Sequence, residues 1–144
     1  MNISIDPVRP ESIEEVKSLL AANNLPTADI SDDAVLLFEA RQSNEQVGTI
    51  GLEKYDGAGL IRSLAVKDGL KGLGIGEKLV NHLLDYCASE QVTELYLLTT
   101  TTEKYFEKFG FQQISRDMVS EEIRQTREFK DICPCSAVVM HKPL

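Results

Sequence analysis

Apolar residues alternate with polar ones at the start of the chain, where Ile3, Ile5 and Val8 predict a first strand over Asn2–Val8, closed by Pro7 and Pro10. The period then lengthens. Ile13, Val16, Leu19 and Leu20 recur at helical spacing in Ser12–Asn23, and Glu14 and Glu15 suit the positive end of the helix dipole. Asn23-Asn24-Leu25-Pro26 ends that helix, and a polar stretch through Asp33 is read as a loop or short helix. Val35–Arg41 and Gln46–Tyr55 read as strands joined by a Ser43-Asn44 turn, and Asp56-Gly57-Ala58-Gly59 is a second tight turn. These elements make an antiparallel meander.

The next block has another character. Leu60–Val66 is apolar except for Arg62 and Ser63 and predicts a central strand. Ile75, Leu79, Leu83 and Cys87 fall at four-residue intervals, with Val80 and Leu84 beside them, and predict a helix over Gly74–Ala88. Val92–Leu98 is a buried strand, Glu103–Phe109 a short helix stopped by Gly110, and Phe111–Ser115 extended. Residues 118–130 read as a polar helical insert, and Ala137–Met140 as the closing strand. Strand, glycine turn, helix and strand form a parallel crossover appended to an antiparallel sheet, which places the chain in the α+β class.

With 144 residues the expectation is a single domain, 1–144, without repeats or an interdomain linker. Apolar residues at 42% and charged residues at 26% indicate neither disorder nor a fibrous repeat. The apolar run Ala34–Phe38 is too short to span a bilayer, and Met1–Asp6 lacks the basic flank and apolar core of a secretory signal. A soluble cytoplasmic protein, off the membrane, is therefore expected. Three cysteines fit a reducing compartment better than a disulfide scaffold. A formal net charge of −8 with no basic stripe argues against nucleic acid as a partner.

The feature with most chemistry in it is Lys71-Gly72-Leu73-Gly74-Ile75-Gly76, between an apolar strand and a long helix. A glycine-rich turn of this kind aims consecutive main-chain N–H groups at one point, where the helix N-terminus assists in holding a phosphate. In so acidic a chain an anionic ligand needs such a local device. The spacing is neither that of a P-loop nor Gly-x-Gly-x-x-Gly, since the glycines stand at 72, 74 and 76, which argues against a nucleotide hydrolase and a dinucleotide dehydrogenase.

Arg62-Ser63-Leu64-Ala65-Val66 followed by Lys71–Gly76 resembles motif A of the GNAT superfamily of N-acetyltransferases, with Lys71 where Gln or Arg is usual. Tyr105-Phe106-Glu107-Lys108-Phe109-Gly110-Phe111 resembles that family's motif B. The resemblance covers the whole chain in architecture and residues 60–111 in sequence. It implies acetyl-CoA as co-substrate and a mixed, mostly antiparallel sheet flanked by helices. Main-chain amides of Lys71, Gly72, Leu73, Gly74, Ile75 and Gly76 would cradle the pyrophosphate, and the edges of Leu64, Ala65 and Val66 would pair with the pantetheine arm. An N–H near Val66 would stabilise the oxyanion.

Acid and base are less marked. Many relatives place a tyrosine acid where this chain has Phe106, so Tyr105 is one helical step, about 100°, out of place. Tyr105 is a candidate catalytic acid or a packing aromatic. Glu53 is a candidate base acting through a water, or an exposed strand carboxylate. Arg62, a charge in a buried strand, needs a partner, which a substrate carboxylate, Glu53 or another acid could supply. Thr99 and Thr100 are candidate acceptor or pantetheine ligands, with Thr100 and Glu103 also at capping-box spacing. His82 reads as an exposed helix residue. Cys133 and Cys135 flank Pro134 and could bind a soft ion, but no further His or Cys stands nearby to complete a zinc site, and no metal is expected.

Leu97-Leu98-Thr99-Thr100 and the tail from Ile123-Arg124 to Cys133-Pro134 and Ser136–Met140 are similar to small acetyltransferases of arsenic-resistance operons and to the acetyltransferase module of N-acetylglutamate synthases. That similarity implies an acceptor with an amine and an acidic group, with Arg124 and Arg127 as candidate anion holders. The expected activity is transfer of an acetyl group from acetyl-CoA to the primary amine of a small amino-acid-like molecule, by direct attack in a ternary complex. Alternatives are a protein or peptide N-acetyltransferase, a catalytically silent CoA-binding sensor and a thiol-based metalloid binder. The oligomeric state stays open, a homodimer included.

Overall fold

The protein is described by a computed structural model over residues 2–25, 27, 35–55, 57–99, 102–125 and 138–144. Seven strands form one sheet in the order β1-β2-β3-β4-β5-β7-β6. They are β1 (Ser4–Pro7), β2 (Val35–Gln42), β3 (Glu45–Lys54), β4 (Ala58–Val66), β5 (Glu94–Thr99), β6 (Gln112–Ile114) and β7 (Val138–Pro143). The helices are α1 (Ile13–Ala22), α2 (Ile75–Ser89), α3 (Glu103–Glu107) and α4 (Glu121–Arg124). β4 and β5 run parallel, from Ala58 opposite Glu94 to Ile61 opposite Leu97, whereas β1 with β2, β5 with β7 and β6 with β7 are antiparallel. This is the mixed α+β sheet that the hydrophobic periods predict.

The chain divides into two compact units, Met1–Leu52 with Ser63–Tyr86, and Glu53–Arg62 with Cys87–Leu144. In the first, α1 buries Val16 and Leu20 against Leu37 and Ala65. The helix ends in a Schellman motif: Asn24 takes a left-handed φ of +59°, and the Leu25 N–H reaches back to the Leu20 carbonyl at 2.9 Å. The β2–β3 turn has φ of +50° at Ser43 and +68° at Asn44, the paired left-handed residues that match strand twist in a two-residue hairpin. α2 buries Ile75, Leu79, Val80 and Leu83 on one face. His82 is half-buried with its ring 5.0 Å from that of Phe38, not exposed as its isolated position suggests.

In the second unit Ala58, Leu60, Tyr96, Val119, Ile123 and Val139 form one buried cluster. Several boundaries move from those the sequence predicts. Ala58 and Gly59 belong to β4 rather than to the turn, because Tyr55 and Ala58 exchange main-chain hydrogen bonds and close the hairpin there. The N-cap of α3 is Thr102, which makes no side-chain cap bond; its N–H is bonded instead by Thr99 Oγ1 at 3.0 Å. Thr100, and with it the predicted capping box, lies outside the described residues, as do Asp56, Arg127, Cys133, Cys135 and the start of the closing strand. Among the described residues no helix is long and apolar enough to cross a membrane.

Candidate active site

The donor-side candidates all belong to the first unit. β4 passes through Ser63, which is buried and holds a left-handed φ of +59°. Left-handed backbone at a non-glycine strand residue marks a local kink of the bulge type, which re-aims the next stretch of strand. Thr49 Oγ1 donates to the Ser63 carbonyl at 3.0 Å and holds the kink. Leu64, Ala65 and Val66 complete the strand, Ala65 buried and the other two half-buried. The Val66 carbonyl accepts from Asn23 Nδ2 at 3.4 Å, which ties this strand end to the end of α1.

The chain then turns through exposed Lys71, Gly72, Leu73 and Gly74 into α2. Gly74 has φ +89°, a conformation that side-chain-bearing residues resist, and a Cβ placed on it would meet nothing within 4 Å. The main chain here faces open space. The first α-helical bond runs from the Lys78 N–H to the Gly74 carbonyl at 3.1 Å, so the N–H groups before Lys78 have no partner within the helix. Those donors and the dipole of a 15-residue helix suit a diphosphate. Gly48 brings α2 close: a Cβ there would lie 2.9 Å from Leu79 Cδ1, 3.1 Å from Ile75 Cγ2 and 3.2 Å from the Ala65 carbonyl. Lys71 forms an exposed pair with Asp68 at 3.4 Å.

The second unit carries the side-chain candidates. Arg62 finds its partner in Glu53, Nη1 to Oε2 at 2.9 Å, with side-chain exposures of 1% and 6%. Of the partners the sequence left open, the structure gives this one. The reading of Glu53 as an exposed carboxylate is corrected: it is buried, and its second oxygen accepts from Tyr55 Oη at 2.5 Å. Tyr55 was readable as a neighbour, since two residues on from Glu53 shares its strand face; Ser63 carried no such signal.

Tyr105, Thr99 and Arg124 have local partners. Tyr105 is half-buried with edge contacts to Phe106 and Phe109, ring centroids 5.3 and 5.4 Å away, and Lys108 Nζ lies 4.6 Å over its ring. Phe106 itself is buried. The hydroxyls of Thr99 and Thr102 bond to each other at 2.5 Å. Arg124 is exposed and pairs with Glu121 at 3.1 Å. Cys87 is buried, which pushes its thiol up to about 11 against a small opposing pull from Lys54. It is protonated at neutral pH and no nucleophile.

Comparison with known proteins agrees with this geometry. The model of the acetyltransferase (GNAT) family matches residues 6–111. An amino-acid acetyltransferase of Neisseria meningitidis is 34% identical over a 112-residue alignment that covers 67% of this chain and 26% of that protein. The chain thus spans about a quarter of that relative's length. N-acetylglutamate synthase from Neisseria gonorrhoeae, solved with coenzyme A and N-acetyl-glutamate, superposes with a TM-score of 0.84 at 20% identity, over 100% of this chain and 35% of that one. A Mycobacterium tuberculosis protein solved with CoA gives 0.80 at 22% identity, over 98% of this chain and 99% of its own. These superpositions establish the likeness of fold. The glycine turn before α2, the kinked β4 and the family match over most of the chain together show that this protein belongs to the acetyltransferase (GNAT) family.

Proposed function

We propose that the chain, acting as one domain, transfers an acetyl group from acetyl-CoA to the primary amine of a small amino-acid-like molecule by direct attack. The observation that carries this reading is the open, left-handed main chain at Gly74 leading into α2. Donors from Lys71 to Gly76 hold the diphosphate, and the edge of Leu64–Val66 receives the pantetheine arm. Acetyl-CoA supplies a thioester carbonyl for the amine to attack. An N–H near Val66 stabilises the oxyanion as the C–N bond forms and the C–S bond breaks. The departing thiolate needs little acid help, because an alkyl thiol has a pKa of about 8.5.

The amino-acid acetyltransferase relative supports an amino-acid acceptor. Arg62, Thr99 and Arg124 are the proposed acceptor contacts among the described residues; Glu53 and Tyr105 are the remaining proton-handling candidates. The test is calorimetry with acetyl-CoA, followed by CoA release against a panel of free amino acids and peptides. Binding with turnover of free amino acids is the expected result. Turnover of peptides alone assigns a protein N-acetyltransferase, binding without turnover a sensor, and no binding refutes the reading.

A further inference from the structure

Among the described residues, the non-glycine residues with left-handed backbone are Asn24, Ser43, Asn44, Ser63 and Gln91. All but Ser63 stand in turns. Ser63 lies inside β4 and is only 8% exposed. A side chain makes that conformation costly, so it persists only where the surroundings enforce it, and such strain concentrates where function uses it. Part of the enforcement comes from β3. Thr49, wholly buried, donates its hydroxyl to the Ser63 carbonyl at 3.0 Å, and the Val47 carbonyl accepts from the Lys67 N–H at 2.9 Å. These two bonds fall on either side of Leu64–Val66. Between Thr49 and Val47 stands Gly48, where a Cβ would lie 3.2 Å from the Ala65 carbonyl, so β3 approaches the same span closely. The Lys67 bond is main chain, open to any residue but proline. The Thr49 bond needs a hydroxyl.

We propose that Thr49 is a positioning residue for acetyl transfer: its hydroxyl fixes the kink at Ser63, and with it the direction in which Leu64–Val66 presents main chain to the thioester. This inference rests on the acetyltransferase reading and deepens its donor side. A donor aimed at an oxyanion loses its effect when its direction shifts. The diphosphate is held elsewhere in that reading, by the turn before α2. Loss of the Thr49 hydroxyl therefore slows transfer more than it weakens binding of the carrier.

The test is the single-turnover rate of acetyl transfer to whichever free amino acid or peptide the unmodified protein acetylates fastest, alongside calorimetric CoA affinity and thermal unfolding. Thr49→Val, which matches threonine in shape but lacks the hydroxyl, is expected to lower the rate about tenfold and to change CoA affinity less than about threefold. Thr49→Ser restores the hydroxyl and most of the rate. Val92→Ala, a buried truncation between α2 and β5, lowers Tm without slowing transfer. Should Thr49→Val not fold, Thr49→Cys, a weak donor of similar size, takes its place with the same expected direction. The proposal is overturned by an unaltered rate in the hydroxyl-free variant, by an equal loss in Thr49→Ser or Val92→Ala, or by a loss of CoA affinity as large as the loss of rate. Any of those results, with the unmodified protein binding CoA and turning over, leaves the acetyltransferase reading standing. Absence of CoA binding or of turnover in the unmodified protein removes that reading and this inference together.

Discussion

The candidate groups of the two units are built by opposite means. In the first, the candidate donor site is main chain: a left-handed glycine, a kinked strand and the N–H groups that precede the first α-helical bond of α2. In the second, the candidate acceptor groups are side chains whose positions depend on one another, Arg62 on Glu53 and Glu53 on Tyr55. Main-chain sites tolerate changes of side chain and fail when backbone conformation is lost. Side-chain networks fail when any member is removed, because the group left behind is buried without compensation.

The sharpest break in that contrast comes from Arg62→Met. With Glu53 only 6% exposed at its side chain, losing the cation is expected to destabilise the protein by about 3–5 kcal/mol in urea unfolding. The double variant with Glu53→Leu recovers much of that loss. A single variant as stable as the parent contradicts a buried, interdependent pair.

Gly74→Val attacks the other unit. Its φ of +89° is closed to a β-branched residue, and the added side chain would enter the open space proposed for the diphosphate. Acetyl-CoA affinity is expected to fall about 100-fold, equivalent to about 2.7 kcal/mol, by calorimetry. Leu73→Ala, beside it and exposed, removes no main-chain donor and is expected to change affinity by less than about threefold, within about 0.7 kcal/mol.

A smaller effect appears only in alkali. Burial holds the Cys87 thiol at about 11 in the folded protein against 9.0 ordinarily, so between those values the unfolded chain has released a proton that the folded one retains. Stability attributable to Cys87 is thus complete below pH 9 and is lost as pH rises toward 11, by at most about 2.7 kcal/mol. Cys87→Ala should lose that part of the pH slope in chemical denaturation. Smallest of all is Tyr105→Phe, which keeps the ring contacts with Phe106 and Phe109. We expect kcat within about threefold of the parent; a fall beyond about 100-fold makes Tyr105 the acid after all.

The contrast also explains what could be read in the sequence. Hydrophobic periods and turn residues located the sheet and α2 because both express local repeats, and the glycines before α2 announce the left-handed turn found at Gly72 and Gly74. The left-handed φ of Ser63 leaves no mark in composition, since it is imposed by neighbours such as Thr49. The burial of His82 against Phe38 depends on tertiary contact in the same way. The Arg62–Glu53 pair was half legible: a charge in an apolar strand demands a partner, but nine positions of separation leave several acids eligible.

The burial of Arg62 with Glu53 also constrains how such a protein can diverge. Exchange of Arg62 alone leaves the buried Glu53 carboxylate without the cation that matches it, so descendants should alter both positions together or traverse a poorly folding ancestor. Natural variation here is therefore expected as concerted swaps, and new acceptor preferences should arise first at positions around the pair rather than within it.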